Sequence, residues 1–284
     1  MGAPMAGHLA AAGFHVVAAD ANPAALGRFC SAVRCERAES LLQLGRSCRL
    51  VITMLPDGAA VRQVLMGDGG VAAGLAAGAV VLDMSSAEPV GTRALARELA
   101  QADISLVDAP VSGGVKRAVA GTLAIMAGGE SAALARCSRI LAALGQVFRA
   151  GGSGCGHAVK ALNNYLSAVA LAATAEAMMA GEKFGIDPAV MLEILNHSTG
   201  RNSATEQKYP AFVLSGSFDS GFSLGLMAKD LRIAQGLAEA LGTPAQLLEE
   251  CAGLWGAAQH RLGFGADNTE IVKFLADTGG GKRR

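Results

Sequence analysis

Six short apolar runs separated by alanine-rich stretches occupy the chain from Phe14 to about Arg149, and they restrict its fold more than any other feature. The runs are HVVAAD, LVITMLP, AVVLDMSS, ISLVDAPV, TLAIMAGG and QVFRAG. Each run is apolar almost throughout, which is typical of strands that are covered on both faces of a mostly parallel sheet. The alanine-rich stretches would form the covering helices. The pattern therefore predicts an α/β domain.

The pattern changes after the segment GGSG at 151–154, because long helical periods follow and no further strand is indicated. The first helix is expected to run from about Gly156 to Lys183, which is long enough to connect two lobes. Asp187 and Pro188 then have the form of an N-cap followed by proline at the first helical position. We therefore predict two domains, at 1–153 and 154–284, of which the second is all-helical. The terminal GGGKRR is expected to be a frayed tail without a function.

Charge and composition exclude several classes of partner. Lys plus Arg and Asp plus Glu number 24 each, so no net charge favours nucleic acid or an anionic membrane. The most hydrophobic long segment, 158–180, contains charged and amide side chains that a bilayer would penalise. A charged and then apolar secretory leader is not apparent at the N-terminus. A small ligand and a cytoplasmic location are therefore expected.

The six cysteines are Cys30, Cys35, Cys48, Cys137, Cys155 and Cys251. They are scattered and contain no CxxC pair, which argues against a zinc site and against a disulfide framework. We therefore expect reduced, mostly buried thiols and no bound metal.

The opening stretch MGAPMAGHLAAAGFHVVAADANP has the order helix, turn, strand and acidic residue of a dinucleotide-binding βαβ unit. Asp20 lies at about the distance from Gly2 at which the acidic residue of this motif accepts hydrogen bonds from an adenosine ribose. Ala21 follows where an arginine would help to hold a 2′-phosphate, so NAD is favoured over NADP. A simple turn at Gly2 and a solvated turn residue at Asp20 are the alternatives. The first strand and the first two glycines of GxGxxG would precede Met1.

A second motif is DAPVSGG at 108–114. A buried strand that ends in Ser-Gly-Gly exposes successive backbone N–H groups without an obstructing Cβ, which is how a nest for a carboxylate is made. Ser112 adds a hydroxyl donor. A flexible turn is the alternative.

A third motif is GCGHAVKALNN at 154–164. If a helix begins here, Lys160 and Asn164 share one face, so we expect an ammonium and an amide to project together into the cleft between the two predicted domains. A partly desolvated lysine beside a bound carboxylate can donate or accept an alcohol proton. A lysine that reaches solvent at the helix start is the alternative. His157 is interpreted as packing or a minor polar contact.

The second domain carries weaker candidates. Phe222 and Lys229, within GFSLGLMAKDL, would complete a cofactor or substrate site, whereas an ordinary surface pair of Lys229 and Asp230 is the alternative. Arg201 would bind a second acidic group of a substrate or be a surface arginine. Apolar helix faces in this domain favour a homo-oligomer.

Taken in order, MGAPMA, MLP, DMSS, DAPVSGG, GCGHAVKALNN and GFSLGLMAKDL resemble the β-hydroxyacid dehydrogenases, the family of 3-hydroxyisobutyrate dehydrogenase and tartronate semialdehyde reductase. The resemblance spans nearly the whole chain. It implies an N-terminal Rossmann domain and an all-helical C-terminal domain. It also implies NAD(P)-dependent oxidation of a small 3-hydroxy acid to its semialdehyde, or the reverse reaction.

The resemblance also implies roles for single residues. By position, Lys160 matches the catalytic lysine and Asn164 its substrate-orienting partner. Ser112, Gly113 and Gly114 match the loop that binds the substrate carboxylate. The implied cofactor contacts are Gly2, Ala3, Pro4, Met5, Leu55, Pro56, Ser86, Phe222 and Lys229.

The N-terminus departs from the family pattern. Family members carry a further segment in front, which forms the central first strand and the glycines closest to the pyrophosphate. Our hypothesis is that the start was assigned too late, at the internal methionine of a GLGxMG motif. The intact mass of the natively produced protein tests this, because a mass that matches Met1 to Arg284 would contradict it. The alternative is a truncated product that is weakly active, or a non-catalytic dinucleotide-binding module.

Overall fold

The computed structural model describes residues 1–279, in which strands and helices alternate in the first part and helices follow in the second. The elements of the first part are α1 (Gly2–Ala11), β1 (Val17–Ala18), α2 (Pro23–Ala32), β2 (Glu36–Arg37), α3 (Leu41–Ser47), β3 (Leu50–Thr53), α4 (Gly58–Met66), α5 (Val71–Gly74), β4 (Val80–Asp83), α6 (Pro89–Ala100), β5 (Ser105–Asp108), β6 (Val111–Ser112), α7 (Gly114–Ala120), β7 (Leu123–Gly128), α8 (Ser131–Leu144) and β8 (Gly145–Gly151). Those of the second are α9 (Cys155–Phe184), α10 (Pro188–Asn196), a π-helix (Ala204–Leu214), α11 (Leu224–Leu241), α12 (Gln246–Leu262), a 3₁₀ helix (Asn268–Glu270) and α13 (Ile271–Gly279).

The described strands form two sheets. The larger sheet has six strands in the order β3-β4-β5-β7-β6, with β8 beside β7. Its β3, β4 and β5 are parallel neighbours and β8 is parallel to β7, whereas β5 and β6 run antiparallel to β7. The smaller sheet is the parallel pair β1 and β2. The predicted α/β class is confirmed, and the carboxyl ends of β3, β4 and β5 meet at one edge, where ligands bind in such sheets.

Strand β4 explains why the apolar runs are continuous. All four of its residues are buried, with Val80 and Leu82 in one apolar cluster and Val81 in another. The first cluster includes Met5 of α1 and Leu141 of α8, and the second includes helices α3, α4 and α6. A strand covered on both faces has no polar side, which is what the pattern predicted.

Four strands differ from the sequence prediction. Strand β8, from the run QVFRAG, is mostly exposed and is not covered on both faces. Only Val17–Ala18 of the run HVVAAD form a strand, and β2 is its one partner among the described strands. Strand β2 is exposed and polar, so an apolar pattern could not reveal it. The run ISLVDAPV was predicted as one strand, but it is divided at Ala109 and Pro110. Its first part is β5, and its last residue begins β6, which pairs with β7.

The second part is helical, as predicted. Asp187 caps α10, since its Oδ1 accepts hydrogen bonds from the N–H groups of Ala189 at 2.9 Å and Val190 at 3.0 Å. Gly242 ends α11 in the left-handed conformation, with a φ of 64°. The core of this part surrounds the fully buried Trp255. Among its described residues, the only strand-like pairing is an isolated bridge of Ser223 with Asp267.

The chain divides into two compact units, Met1–Lys160 and a second unit that begins at Ala161, here called the α/β unit and the helical unit. This division lies inside α9. The domain boundary after residue 153 lies just before α9 and stays a prediction. No helix among the described residues is long and apolar enough to cross a membrane. Residues 280–284, which hold most of the tail GGGKRR, lie outside the described part of the chain.

The prediction of six reduced thiols is wrong for one pair. Cys30, near the end of α2, forms a disulfide with Cys35, just before β2. Their Cα atoms are 5.4 Å apart, so the short turn that joins these elements brings them within disulfide range. Cys137 and Cys251 are buried free thiols, as expected, and Cys48 and Cys155 are half-buried.

Candidate active site

Two buried carboxylates lie at the carboxyl ends of neighbouring strands. Asp83 ends β4 and Asp108 ends β5, and the two residues are register partners. They are 2% and 0% exposed. A buried carboxylate is costly unless hydrogen bonds compensate it, so the donors around these two residues define the local structure.

Asp83 ties the ends of β3 and β4 together. Its Oδ1 accepts hydrogen bonds from Thr53 Oγ1 at 2.8 Å and from the N–H of Ser85 at 3.0 Å. The hydroxyl of Ser85 in turn accepts a hydrogen bond from the N–H of Leu55 at 2.9 Å. These bonds fix the two loops that contain the predicted cofactor contacts Leu55, Pro56 and Ser86. Their contact with a cofactor stays a prediction.

Asp108 holds the beginning of α9. Its Oδ1 accepts a hydrogen bond from the N–H of Gly154 at 2.7 Å, and its Oδ2 accepts one from the N–H of His157 at 3.0 Å. A helix normally receives such a bond from the side chain of its N-cap residue, but glycine precedes α9. Asp108 therefore caps α9 from the neighbouring strand, where its negative charge also complements the helix dipole.

The glycines of GCGH allow this close approach. Gly154 has a φ of +81°, which favours glycine. At Gly156, a Cβ would lie 2.2 Å from the carbonyl oxygen of Met126 and 2.8 Å from that of Asp108. Because both neighbours are backbone atoms, the first turn of α9 can lie against β5 and β7 only if residue 156 has no side chain.

His157 is buried to 1% exposure and is bonded through both ring nitrogens. Its Nδ1 lies 2.8 Å from Thr92 Oγ1, and its Nε2 lies 3.1 Å from the carbonyl oxygen of Ser85. Nε2 is also 3.8 Å from Asp83 Oδ2. The interpretation of His157 as packing or a minor polar contact therefore understates its role, since it joins α9 to α6 and to the loop after β4.

Lys160 follows one turn after His157 on α9 and is 7% exposed. Asn164, one further turn along, is 6% exposed. The spacing of four residues gives them the same helix face, as the sequence predicted. The low exposure of Lys160 disfavours the alternative of a lysine that reaches solvent. The catalytic role of either residue stays a prediction.

The Ser-Gly-Gly motif forms the turn from β6 into α7. Gly113 has a φ of +122° and Gly114 a φ of +64°, so two successive residues adopt the left-handed region that glycine tolerates. A Cβ at Gly113 would also overlap the side chain of Arg117. Ser112 pairs with Ala124 at the end of β6. The motif thus forms a turn that favours glycine at two positions, and its role in carboxylate binding stays a prediction.

The predicted dinucleotide contacts lie near the N-terminus. Gly2, Ala3, Pro4 and Met5 form the first turn of α1, and Met5 is buried in the core. Asp20 is exposed after β1, and its Oδ1 accepts a hydrogen bond from the N–H of Asn22 at 2.7 Å. Asn22 in turn caps α2. Asp20 therefore shapes the turn and also presents an exposed carboxylate.

In the helical unit, Asn164 is bonded to a buried acid that the sequence reasoning did not select. Its Nδ2 donates a hydrogen bond to Asp230 Oδ2 at 2.5 Å, and its Oδ1 accepts one from Asn163 Nδ2 at 3.1 Å. Asp230 is 2% exposed, and Lys229 Nζ lies 3.4 Å from its Oδ1. The alternative of an ordinary surface pair for Lys229 and Asp230 is wrong.

Asn268 fixes Phe222, the other predicted contact in this unit. Its backbone N–H and its Nδ2 both donate to the carbonyl oxygen of Phe222, at 2.9 and 2.8 Å. Its Oδ1 accepts a hydrogen bond from Lys208 Nζ at 3.0 Å. Arg201 is exposed and pairs with Glu206 at 3.4 Å, which favours the surface alternative for this arginine.

Sequence reasoning missed Asp83, His157, Asp230 and Asn268 as organising residues. Asp83 lies at the end of the apolar run AVVLD within AVVLDMSS, and a polar residue at the end of a buried strand indicates the functional edge of the sheet. Asp230 and Asn268 act on residues far away in the sequence, and no local pattern indicates such pairs. Among the described residues, no group of three His, Cys, Asp or Glu side chains is arranged to hold a metal ion.

Known proteins match the chain over nearly its full length. A family model described as the NAD-binding domain of 6-phosphogluconate dehydrogenase matches residues 1–160, and one described as NAD-binding of NADP-dependent 3-hydroxyisobutyrate dehydrogenase matches residues 154–275. The chain is 40% identical to 2-(hydroxymethyl)glutarate dehydrogenase of Eubacterium barkeri over 82% of this chain and 78% of the relative. It is 38% identical to 3-hydroxyisobutyrate dehydrogenase of Pseudomonas aeruginosa over 85% of this chain and 83% of the relative.

The fold also matches solved structures. The structure of 3-hydroxyisobutyrate dehydrogenase from Mycobacterium tuberculosis with L-serine has a TM-score of 0.91 at 30% sequence identity. The match covers 97% of this chain and 95% of that chain. The arrangement of an α/β domain followed by a helical domain is therefore shared with that enzyme.

Proposed function

Since the chain belongs to the 3-hydroxyisobutyrate dehydrogenase family of β-hydroxyacid dehydrogenases, we propose that it oxidises a small 3-hydroxy acid to its semialdehyde, or catalyses the reverse reduction. NAD is the proposed hydride carrier, and Lys160 is the proposed general acid/base. The observation that carries the proposal is Lys160 itself, a lysine buried to 7% exposure on a helix whose first turn is held by Asp108 and His157.

The relatives' names support this substrate class. 3-Hydroxyisobutyrate, 2-(hydroxymethyl)glutarate and L-serine are named for the relatives or found with the solved structure, and each carries a hydroxyl group on the carbon β to a carboxylate. A site for such a molecule needs one donor group for the carboxylate and one acid/base group for the hydroxyl. The Ser112–Gly114 turn is proposed for the first task and Lys160 for the second.

In the oxidation, Lys160 as the neutral amine accepts the hydroxyl proton while the carbinol carbon loses its hydride and becomes a carbonyl. In the reduction, the Lys160 ammonium returns that proton to the oxygen. Asn164 orients the hydroxyl through its amide, and positioning of this kind supplies a large part of an enzyme's rate. When bound, the dinucleotide supplies the hydride acceptor or donor.

The residues present fit a dinucleotide. Asp20 is an exposed carboxylate at the carboxyl end of β1, where an acceptor for ribose hydroxyls is needed, and the first turn of α1 would receive the pyrophosphate. A carboxylate at this position would repel a 2′-phosphate, so we expect a higher kcat/KM with NAD than with NADP. Asp20→Ala should lower the ratio of kcat/KM with NAD to kcat/KM with NADP. A wild-type enzyme that prefers NADP would contradict the NAD assignment.

The reaction is tested by absorbance of the reduced nicotinamide with 3-hydroxyisobutyrate, L-serine and 2-(hydroxymethyl)glutarate. Lys160→Ala is expected to lower turnover at least about a hundredfold, because a positioned acid/base group contributes that much or more. The matched control is Lys183→Ala, since Lys183 is an exposed lysine near the end of the same helix. Circular dichroism should show that both variants are folded.

The outcomes separate the proposal from its rival. Near-normal turnover of Lys160→Ala would refute the acid/base role. NAD binding in calorimetry without turnover of any hydroxy acid would favour the rival function, a non-catalytic dinucleotide-binding module of the same fold. The burial of Lys160 and Asn164 on one helix face argues against that rival, because a module without chemistry has no use for them.

We also propose that the protein is a homo-oligomer. Helix α9 exposes Val159, Leu162 and Leu166, which are 43%, 43% and 66% exposed and lie along one side of the helix. A second copy would remove these apolar side chains from water. Light scattering tests this: a mass above that of one chain is expected, and Leu166→Asp should lower it. A monomeric mass for the wild type would contradict the proposal.

A further inference from the structure

We propose that His157 is a positioning residue, which holds the first turn of α9, and with it Lys160, in a fixed register with the Ser85–Ser86 loop. The catalytic part of this inference rests on the proposed function of Lys160. The structural part, a link from the loop after β4 to α9, stands on the contacts of His157 alone.

The contact with Ser85 defines which ring nitrogen of His157 carries a proton. The carbonyl oxygen of Ser85 only accepts hydrogen bonds, so Nε2, 3.1 Å away, must carry a proton. The other nitrogen, Nδ1, lies 2.8 Å from the hydroxyl of Thr92 on α6. The ring is therefore oriented from two sides, and neither contact is exchanged for water because the side chain is 1% exposed.

Ser85 makes the link specific. Its N–H donates to Asp83, its hydroxyl accepts from the N–H of Leu55, and its carbonyl oxygen accepts from His157. This fully buried residue thereby joins the loop after β3, the end of β4 and the start of α9. Rotation of the His157 ring would leave the Ser85 carbonyl buried without a partner, and such a group typically costs about 1 to 3 kcal/mol.

Lys160 is one helical turn from His157, so a shift of the first turn moves its ammonium with it. Asp108 fixes the same turn through the N–H of His157. Asp108 sets the position of the N-terminus of α9 against β5, whereas the His157 ring sets the position of the same N-terminus against the loop that precedes α6. An error of about 1 Å in the position of a catalytic group can cost up to about a hundredfold in rate.

Two conservative variants separate the contacts of the ring. The side-chain amide of His157→Gln reaches about as far as Nε2 and can still donate to the Ser85 carbonyl. The shorter amide of His157→Asn reaches only the position of Nδ1, so it keeps the Thr92 contact and loses the Ser85 contact. Thr92→Val is the control for the Nδ1 contact: it removes the hydroxyl that contacts Nδ1, together with the bond of that hydroxyl to the Glu88 carbonyl at the start of α6, and leaves the Ser85 contact in place.

We expect kcat to separate the variants that keep the Ser85 contact from the variant that loses it. His157→Gln and Thr92→Val should keep kcat within about threefold of the wild type, and His157→Asn should lower it at least about tenfold, with a KM for the hydroxy acid that changes little. Rescue by glutamine but not by asparagine is a result that a purely space-filling role would not give. Equal kcat values for the Gln and Asn variants would overturn the catalytic part of the proposal.

Amide hydrogen exchange provides a readout that does not depend on turnover. Peptides that cover the first turn of α9 and the Ser85 loop should exchange faster in His157→Asn than in the wild type, and at the wild-type rate in His157→Gln. Equal exchange in the two variants would overturn the structural part. If the wild type turns over no hydroxy acid, the proposed function fails, and the exchange comparison still decides whether His157 holds α9.

Discussion

The α/β unit and the helical unit hold their candidate functional groups by different means. In the α/β unit, Asp83 and Asp108 accept hydrogen bonds mainly from backbone N–H groups, so they fix loops and a helix start. In the helical unit, Asp230 accepts its hydrogen bond from the side-chain amide of Asn164, and its Oδ1 has no hydrogen-bond partner among the described residues, although Lys229 Nζ lies 3.4 Å away. A carboxylate that is bonded to backbone N–H groups fixes the position of a whole loop or helix start. A carboxylate that is bonded to a side-chain amide fixes the orientation of that one side chain.

This difference predicts where the protein tolerates change. Where two main chains are in contact, an added atom has no space, because each backbone segment is held by the hydrogen bonds of its own strand or helix. Where helices are joined through side chains, the helix backbones have more freedom. The first prediction tests this contrast with the same substitution in each unit.

The largest effect is expected for Gly156→Ala in the α/β unit. The added methyl group would lie 2.2 Å from the carbonyl oxygen of Met126 and 2.8 Å from that of Asp108, so the start of α9 would be displaced. We expect the free energy of unfolding in urea to fall by about 3 kcal/mol or more. In the helical unit, a Cβ at the buried Gly225 on α11 would meet the side chain of Phe264, at 2.2 Å, and this exposed ring can move, so Gly225→Ala should lower stability by only about 1 kcal/mol. Similar effects of the two substitutions would contradict the contrast.

The same contrast explains what the sequence could predict. Parallel strands end at one edge of a sheet, so the runs AVVLDMSS and ISLVDAPV by themselves indicated that Ser86 and the Ser112–Gly114 turn follow strand ends. Periodicity likewise gave α9 and the shared face of Lys160 and Asn164. These features depend on local pattern, which the sequence contains directly.

Other features depend on tertiary contacts and were not predictable. The partner of Asn164 is Asp230, 66 residues further along the chain, and nothing near either residue indicates the pair. The His157 ring contacts Thr92 and Ser85, 65 and 72 residues away. The Cys30–Cys35 disulfide was missed because the expectation rested on spacing patterns, whereas a bond across a short turn depends on local geometry.

The second prediction uses one buried thiol in each unit. Burial raises the pKa of Cys137 on α8 and of Cys251 on α12 to about 11, from an ordinary value of 9.0. The folded protein therefore favours the neutral thiols, and the unfolded chain loses their protons first. The contribution of each thiol to the free energy of unfolding is fully present below about pH 9. It is lost as the pH rises towards 11, and the loss is at most about 2 kcal/mol for each thiol.

Urea unfolding at several pH values between 8 and 11 measures this loss. Cys137→Ala and Cys251→Ala should each reduce the pH dependence of the unfolding free energy, whatever they do to stability at pH 8. If the units unfold in separate transitions, each substitution should change only the transition of its own unit. A pH dependence unchanged by both substitutions would show that these thiols do not titrate on unfolding.

The smallest expected effect, about tenfold in kcat, concerns the side-chain pair of the helical unit. Asp230 only accepts hydrogen bonds, so it forces Asn164 to turn its amide nitrogen towards it, and Asn163 supports that orientation by donating to Asn164 Oδ1. Asp230→Asn keeps the shape but lets the Asn164 amide adopt either orientation. We expect kcat to fall about tenfold while the affinity for NAD, measured by calorimetry, stays the same.

A double-mutant cycle decides whether Asp230 acts through Asn164. In an Asn164→Ala background the amide is gone, so Asp230→Asn should have little further effect on kcat, and the two substitutions should not add. Lys229→Met removes the neighbouring ammonium and leaves the pair of Asp230 and Asn164 in place; because Lys229 is itself a predicted cofactor contact, this variant is expected to change the affinity for NAD, whereas Asp230→Asn is expected to change kcat. If the effects of Asp230→Asn and Asn164→Ala simply multiply, Asp230 acts by another route, and the helical unit would then fix its groups through a wider set of contacts than this single pair.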